Sequence, residues 1–262
     1  MMFNDYLVLP LYFCIGLCVG SFINALEFRL HRGESNIRNT HGGAARSRCP
    51  QCQATLAARD LIPVYSFIVL RGRCRYCAQP ISWQYPLVEC IGAILFIATA
   101  LMMGPLNPAA FVVTGYGAIL LFLFIYDLKY QLLPDRVMIP GIVVAVLASG
   151  VVLDYTMMNM VWGAVVAGGF FLLQYLISRG RWIGAGDIRF GVLMGAMLGF
   201  QKTIAALFIA YIGGAVVSLL LLAIRRVRRD TRIPFGTFLA VATLFCLWWG
   251  DALIDWYMHL LI

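Results

Sequence analysis

The chain has 262 residues, of which 62% are hydrophobic and only 12% carry a formal charge. This composition excludes a soluble domain built around one core and predicts a membrane protein. The apolar stretches are long and continuous, so they predict helices rather than the short alternating strands of an outer-membrane barrel. We interpret the net charge of +8 as attraction to anionic lipid, in preference to nucleic-acid binding.

Eight apolar runs follow one another along the chain, most of them close to the roughly 20 residues that a helix needs to cross a bilayer. They cover residues 6–28, 85–103, 109–126, 137–153, 161–177, 183–200, 203–224 and 237–256. No positive region precedes the first run, which we interpret as a retained helix rather than a removed signal peptide. If the N-terminus faces outward, 19 of the 20 Lys and Arg residues are cytoplasmic, as the positive-inside rule requires. The sequence predicts an all-α polytopic membrane protein with about eight transmembrane helices and both termini outside.

The polar segment 29–84, between the first two runs, predicts a small cytoplasmic domain. It contains two C-x-x-C pairs separated by 21 residues, Cys49 with Cys52 and Cys74 with Cys77. Four thiolates in this arrangement are typical of a structural zinc ribbon. A cytoplasmic location disfavours disulfides, and no thioredoxin-like pattern supports a redox site. His31 and His41 remain alternative metal ligands.

Asp127 and Asp187 are acidic residues at the predicted cytoplasmic ends of the third and sixth spans. Ionisable groups among apolar helices are rare and usually functional. Two neighbouring carboxylates share one proton, so the ionised one can accept a proton from water while the other donates to a carbonyl oxygen. The sequence therefore predicts aspartyl proteolysis if these side chains meet. The alternative for Asp187 is a simple helix-capping role.

Glycines surround Asp187 on both sides. Gly184 and Gly186 precede it and suit backbone that leaves helical geometry or lets a substrate strand approach. Three more glycines follow at steps of four and share its helix face: Gly191, Gly195 and Gly199. This spacing predicts that a neighbouring helix packs tightly beside the carboxylate.

Two further acids lie near predicted span ends. Asp135 follows Pro134, and the pair predicts a turn and the start of the fourth span; we assign Asp135 a supporting role. Glu89 lies just inside the second span and is interpreted as the partner of an arginine or of substrate. No G-x-S-x-G motif and no histidine in a span interior supports serine or metal catalysis. A transporter that carries protons on the two aspartates is a different class, and it predicts inverted repeats, which the sequence does not show.

Several short segments occur in a characteristic order around these residues. They are GSFIN at 20–24, LIPVYS at 61–66, RGRCRYC at 71–77, YPLVE at 85–89, LPD at 133–135, GAGD at 184–187 and PFG at 234–236. Together with Asp127 and the cysteine pairs, they resemble bacterial type IV prepilin peptidases over almost the whole chain. Several positions depart from the common pattern: Gln84 where Arg is frequent, Arg189 and Phe190 where Lys and Leu or Met are usual, Thr237 in place of Pro, and also Glu27 and residues 33–35.

The resemblance implies that Asp127 and Asp187 are the catalytic pair of an intramembrane aspartyl endopeptidase. It implies cleavage of the basic leader of type IV prepilins and type II secretion pseudopilins after a glycine. It also implies N-methylation of the new N-terminus with S-adenosylmethionine, with the alternative of a G-x-G-D peptidase that does not methylate. The expected location is the bacterial inner membrane, with a first helix at 1–28, a zinc domain at 29–84 and a seven-helix core at 85–262. Gly184, Gly186, Asp135, Glu89 and Arg189 are expected to support the site or contact substrate.

Overall fold

The computed structural model describes residues 3–33, 47–224 and 233–261, and these residues form helices, turns and two isolated β-bridges but no β-strand. Helices satisfy their own backbone hydrogen bonds, which a chain in lipid requires. The elements in order are α1 (Phe3–His31), a 3-10 turn (Ala58–Asp60), α2 (Tyr65–Val69), α3 (Gln84–Met103), α4 (Pro108–Tyr130), α5 (Asp135–Val151), α6 (Met157–Ser178), α7 (Ala185–Ala223) and α8 (Phe235–Leu261). The predicted all-α class is confirmed.

Six helices in the described part of the chain are long and apolar enough to cross a membrane: α1, α3, α4, α6, α7 and α8. The difference from the predicted eight spans arises in α5 and α7. Helix α5 corresponds to the predicted fourth span and has 17 residues. Helix α7 has 39 residues and contains both the sixth and the seventh predicted spans. The eight predicted runs thus all correspond to helical segments of the described residues, of which six helices meet both the length and the hydropathy of a span.

Helix α7 turns back on itself at Gly199, which has φ 70° and ψ −175°. Gly191 and Tyr211 lie on either side of this turn and would be about 30 Å apart along a straight helix. A Cβ atom at Gly191 would lie 2.8 Å from the ring of Phe171, whereas the ring of Tyr211 lies 5.5 Å from that of Phe170. Both arms therefore reach the same part of α6, and α7 provides two hydrophobic segments.

Asn159, near the start of α6, stabilises the turn in α7. Its Oδ1 accepts a hydrogen bond of 2.8 Å from the backbone N–H of Phe200. A Cβ atom at Gly199 would lie only 2.6 Å from its Nδ2. The positive φ and the close side chain both explain the glycine at this position.

The chain divides into two compact units, Met1–Ala110 and Phe111–Ile262. In the first unit, α1 packs against α3 through glycines. A Cβ atom at Gly16 would lie 2.6 Å from Cα of Ala93, and one at Gly20 would lie 2.6 Å from Cα of Glu89. Such backbone contact is the packing that small-residue spacing in membrane helices allows.

In the second unit, the first arm of α7 packs against α6 at the same kind of distance. A Cβ atom at Gly195 would lie 2.1 Å from the backbone nitrogen of Ala164, and one at Gly191 would lie 2.9 Å from the carbonyl of Ala167. The predicted close packing of the glycine face that follows Asp187 is confirmed, with α6 as the partner. This contact joins α6 and α7 in the core of the unit, where Phe171 of α6 and Phe190 of α7 are fully buried.

Candidate active site and metal site

Asp127 lies in the last turns of α4, and its side chain is buried, with 5% of the residue exposed. Its Oδ2 accepts a hydrogen bond of 2.9 Å from the backbone N–H of Thr237, and a second comes from the N–H of Gly236. Both donors belong to the first turn of α8, where backbone N–H groups have no partner within the helix. The N-terminus of α8 therefore holds this carboxylate with hydrogen bonds and with its dipole.

Asp187 lies in the first turn of α7 and is 8% exposed. Its Oδ2 accepts a hydrogen bond of 2.9 Å from the backbone N–H of Gly184, so the capping geometry considered from the sequence is present. Capping of a helix terminus does not require burial, because capping residues are commonly exposed to water. The burial of Asp187 in an apolar unit thus requires a reason beyond capping.

Leu133 brings the two acidic segments together. A Cβ atom at Gly186, next to Asp187, would lie 2.9 Å from Cβ of Leu133. A Cβ atom at Gly236, which binds Asp127, would lie 3.1 Å from Cδ2 of the same leucine. The charge of Asp187 also acts on Asp127 directly. The segments that carry the two buried carboxylates thus meet at one leucine side chain.

An aromatic cluster supports the first turn of α8 from the other side. The ring of Phe235 lies 4.9 Å from that of Tyr211 and 6.1 Å from that of Phe171. The hydroxyl of Tyr211 exchanges hydrogen bonds with the side-chain amide of Gln174, at 2.7 and 3.0 Å. Because Phe235 directly precedes Gly236, this cluster orients the backbone N–H groups that bind the first carboxylate.

The other two acids predicted from the sequence are not members of this buried pair. Asp135 begins α5, as its position after Pro134 predicts, and forms an exposed ion pair with Arg189. Glu89 lies in the first unit, where it is buried and accepts a hydrogen bond of 2.7 Å from the backbone N–H of Val64. Among the described residues, its partners are thus the backbone amide of Val64 and the side chain of Ser21 rather than an arginine. Val64 has a positive φ of 59°, which is rare for a β-branched residue, and Glu89 stabilises that conformation.

The four cysteines of the polar segment form a second cluster. They are Cys49, Cys52, Cys74 and Cys77, and their Sγ atoms all lie within 4.8 Å of one another. The Sγ atoms of Cys49 and Cys77 are 3.9 Å apart. Tetrahedral zinc with Zn–S bonds of about 2.3 Å separates its sulfur ligands by roughly 3.8 Å. The donor set and its spacing therefore fit one zinc ion. Within the described ranges the cluster consists of cysteines alone, and His41 lies outside those ranges.

The two C-x-x-C pairs have the same backbone geometry. The carbonyl of Cys49 accepts a hydrogen bond from Gln53, and that of Cys74 accepts one from Ala78, both at 2.9 Å. Gln53 and Ala78 both adopt a positive φ, of 59° and 56°. Each pair thus ends in the same tight turn, and the region between the first two long helices, α1 and α3, has the zinc-ribbon-like form predicted from the spacing.

Asp60 attaches the second pair to the turn before α2. It accepts hydrogen bonds from Nε of Arg75 at 2.7 Å and from the hydroxyl of Tyr76 at 3.3 Å. These two residues stand between the cysteines of the second pair. Desolvation raises the pKa of Asp60, but the hydrogen bonds from Arg75, Ala57 and Tyr76 outweigh it, and the pKa lies below its usual value.

Sequence reasoning did not assign roles to several residues of the acidic site. The backbone of Thr237 and the side chain of Leu133 contact the site directly, and Tyr211 with Gln174 supports it. Leu133 lies in the LPD segment, and Thr237 directly follows the PFG segment. The occurrence of these two segments in the characteristic order is the signal that could have indicated both residues. Nothing local marks Tyr211, since one tyrosine in an apolar helix is common.

Comparison with known proteins covers both units. Residues 14–103 match the Bacterial Peptidase A24 N-terminal domain, and residues 114–219 match the Type IV leader peptidase family. A protein of Legionella pneumophila named prepilin leader peptidase/N-methyltransferase is 32% identical over 97% of this chain and 94% of its own length. A protein of the same name from Aeromonas hydrophila is 31% identical over 97% of this chain and 94% of its own length. One from Bacillus subtilis (strain 168) is 29% identical over 97% of this chain and 99% of its own length. No solved structure shows a significant match.

Proposed function

The chain belongs to the type IV leader peptidase family, and we propose that it is the aspartyl endopeptidase that removes the basic leader of type IV prepilins and type II secretion pseudopilins. Cleavage follows a glycine on the cytoplasmic side of the substrate's hydrophobic helix. The observation that carries this proposal is the pair of buried carboxylates, Asp127 and Asp187, whose segments both pack against Leu133. The family relationship supplies the substrate class, since the named relatives are prepilin leader peptidases.

The hydrogen bonds divide the roles of the two carboxylates. Asp127 accepts hydrogen bonds from the backbone N–H groups of Gly236 and Thr237. Asp187 accepts one such hydrogen bond, from Gly184. Hydrogen bonds from N–H donors stabilise an ionised carboxylate, so we assign the negative charge to Asp127 and the shared proton to Asp187.

The cleavage then proceeds by general acid–base catalysis. Asp127 takes a proton from water as the water oxygen bonds to the scissile carbonyl carbon, and Asp187 gives its proton to the carbonyl oxygen. When the C–N bond breaks, Asp127 gives the proton to the leaving nitrogen, and Asp187 takes back the proton from the hydroxyl as the carbonyl re-forms. The exposed Gly184 and the half-buried Gly186 let an extended substrate strand approach the two carboxylates.

The membrane orientation follows from charge. With both termini outside, 19 of the 20 basic residues are cytoplasmic, which places the zinc domain and both aspartates on the cytoplasmic side of the bacterial inner membrane. We retain the division into a first helix at 1–28, a zinc domain at 29–84 and a membrane core at 85–262 as part of this proposal. Four cysteine ligands leave no open position on the metal, so the zinc ion has a structural role.

The second reaction is N-methylation of the new N-terminus, with S-adenosylmethionine as methyl donor. It is supported by the names of the relatives, which include N-methyltransferase. Mass spectrometry of a purified prepilin, incubated with this protein and S-adenosylmethionine, reads the cleavage site and the added methyl group together. A cleaved but unmethylated product would establish the peptidase and reject the methyltransferase.

Substitution of each aspartate tests the catalytic assignment. Asp127→Asn and Asp187→Asn keep the size of the side chain but remove the general base or the proton donor, so each should reduce leader cleavage at least about a hundredfold. Asp255→Asn, in the exposed C-terminal part of α8, is the matched control and should cleave normally. A near-normal rate for either site variant, in protein that elutes as folded, would refute the mechanism.

A further inference from the structure

Asp135 and Arg189 form an ion pair at the rim of the acidic site. Arg189 follows Asp187 by two residues, and Asp135 follows Leu133 by two residues. The side chains of the pair are 42% and 46% exposed for Arg189 and Asp135 respectively, whereas the two catalytic candidates are buried. The pair is therefore a charged group open to solvent and close in the chain to both buried carboxylate segments.

Asp135 is also distinguished by its position among the exposed acids of the second unit. Within the described part of this unit, the other exposed carboxylates are Asp154, Asp251 and Asp255. Asp154 follows the C-terminal end of α5, whereas Asp135 begins that helix. Asp251 and Asp255 lie in the C-terminal half of α8, whose first turn binds Asp127. Among these four residues, Asp135 is thus the exposed carboxylate nearest to the acidic site, since it pairs with Arg189, two residues after Asp187.

We infer that Asp135 binds a cationic side chain of the substrate's leader and that Arg189 is the internal cation which the leader displaces. The inference rests on the proposed function and names the residue that recognises the leader's charge. An ion pair between exposed side chains contributes little to stability, because water screens the charges and two long side chains lose freedom. The exchange of one cation for another at Asp135 therefore costs little.

The charge distribution explains why such an exchange is useful. The predicted cytoplasmic side holds 19 of the 20 basic residues, so a basic leader is repelled by most of the surface that it approaches. A carboxylate beside the site provides an opposite charge that can hold the leader in the correct register. Arg189 compensates that carboxylate while no substrate is bound.

The test uses the full-length protein in proteoliposomes and two prepilins, one native and one with the basic residues of its leader replaced by glutamine. With the wild-type protein, the glutamine leader should lower kcat/KM about three- to tenfold, chiefly through KM. Asp135→Asn should raise KM for the native prepilin by a similar factor and abolish the difference between the substrates. Asp135→Glu keeps the charge and should restore the difference.

Arg189→Gln separates recognition from a purely structural role. Removal of the competing cation should leave KM for the native prepilin unchanged or lower it, and should keep the preference for the basic leader. If Asp135→Asn and Arg189→Gln instead reduce cleavage of both prepilins equally, the pair only fastens α5 to α7 and the inference is overturned. An unchanged leader preference in Asp135→Asn also overturns it. If the wild-type protein cleaves neither prepilin, the proposed function itself has failed.

Discussion

Gly236→Ala would place a methyl group against the catalytic carboxylate. The new Cβ atom would lie 2.8 Å from Oδ2 of Asp127, 3.0 Å from its Cγ and 3.1 Å from Cδ2 of Leu133. Ordinary contacts of a Cβ atom begin at 3.4 Å, so the carboxylate oxygen has to move by about 0.6 Å. The atom that moves is the end of a side chain rather than backbone, so the clash should displace the carboxylate without unfolding α8.

The expected effect is on the chemical step. A displacement of about 1 Å at a reacting group can cost roughly a hundredfold in rate, so about half that distance corresponds to roughly tenfold. We therefore expect Gly236→Ala to lower kcat for prepilin cleavage about tenfold, with a thermal unfolding midpoint close to that of the wild type. Cleavage is followed by gel shift of a purified prepilin in proteoliposomes.

Gly213→Ala is the matched control, because it makes the same substitution within a helix and its Cβ atom would meet nothing within 4 Å. It should cleave at the wild-type rate. The reasoning is refuted if Gly236→Ala retains more than half of the wild-type kcat. It is equally refuted if the variant does not fold, since the backbone rather than the carboxylate would then take up the clash.

Two further predictions concern the metal and the helix packing. Purified protein should contain about one zinc ion per chain by metal analysis. Cys52→Ser should lose the ion, whereas Cys18→Ser, on the exposed face of α1, should retain it. Equal metal contents in the two variants would contradict the site. Gly195→Ala places a Cβ atom 2.1 Å from backbone of α6 and should lower the free energy of unfolding by about 3 kcal/mol. Gly169→Ala, whose Cβ atom would meet nothing within 4 Å, should be close to neutral, and similar unfolding curves for both variants would refute the packing argument.

The bilayer makes much of this fold readable from sequence. A span must be about 20 apolar residues long and helical, so hydropathy alone separates residues 183–200 from 203–224, and the structure divides Ala185–Ala223 at Gly199. The turn itself follows from contacts that hydropathy does not reveal. Asn159 accepts a hydrogen bond from the N–H of Phe200 across 41 residues of chain.

The metal site could be predicted from the sequence for a different reason, the short spacing of its ligands. The ligands of each C-x-x-C pair are three residues apart, and the tight turn around each pair is closed by a hydrogen bond between near neighbours, from Gln53 to Cys49 or from Ala78 to Cys74. Two such pairs need only meet to complete a tetrahedral site. The contact that joins Asp60 to Arg75 and Tyr76 is not local, and neither hydropathy nor spacing indicates it.

A helical membrane chain with two rare acids, Asp127 and Asp187, and four cysteines at metal-binding spacing can be predicted from the amino-acid sequence. These features depend on hydropathy, charge and short-range spacing, which act within a few residues of each other. The groups that surround the acids come from distant parts of the chain and are known from the fold. The N–H of Thr237 reaches Asp127 across 110 residues, and Asp135 pairs with Arg189 across 54. Such contacts depend on how separate helices pack. The periodicity of a helix shows which of its faces is apolar, but it does not show which other helix packs against that face.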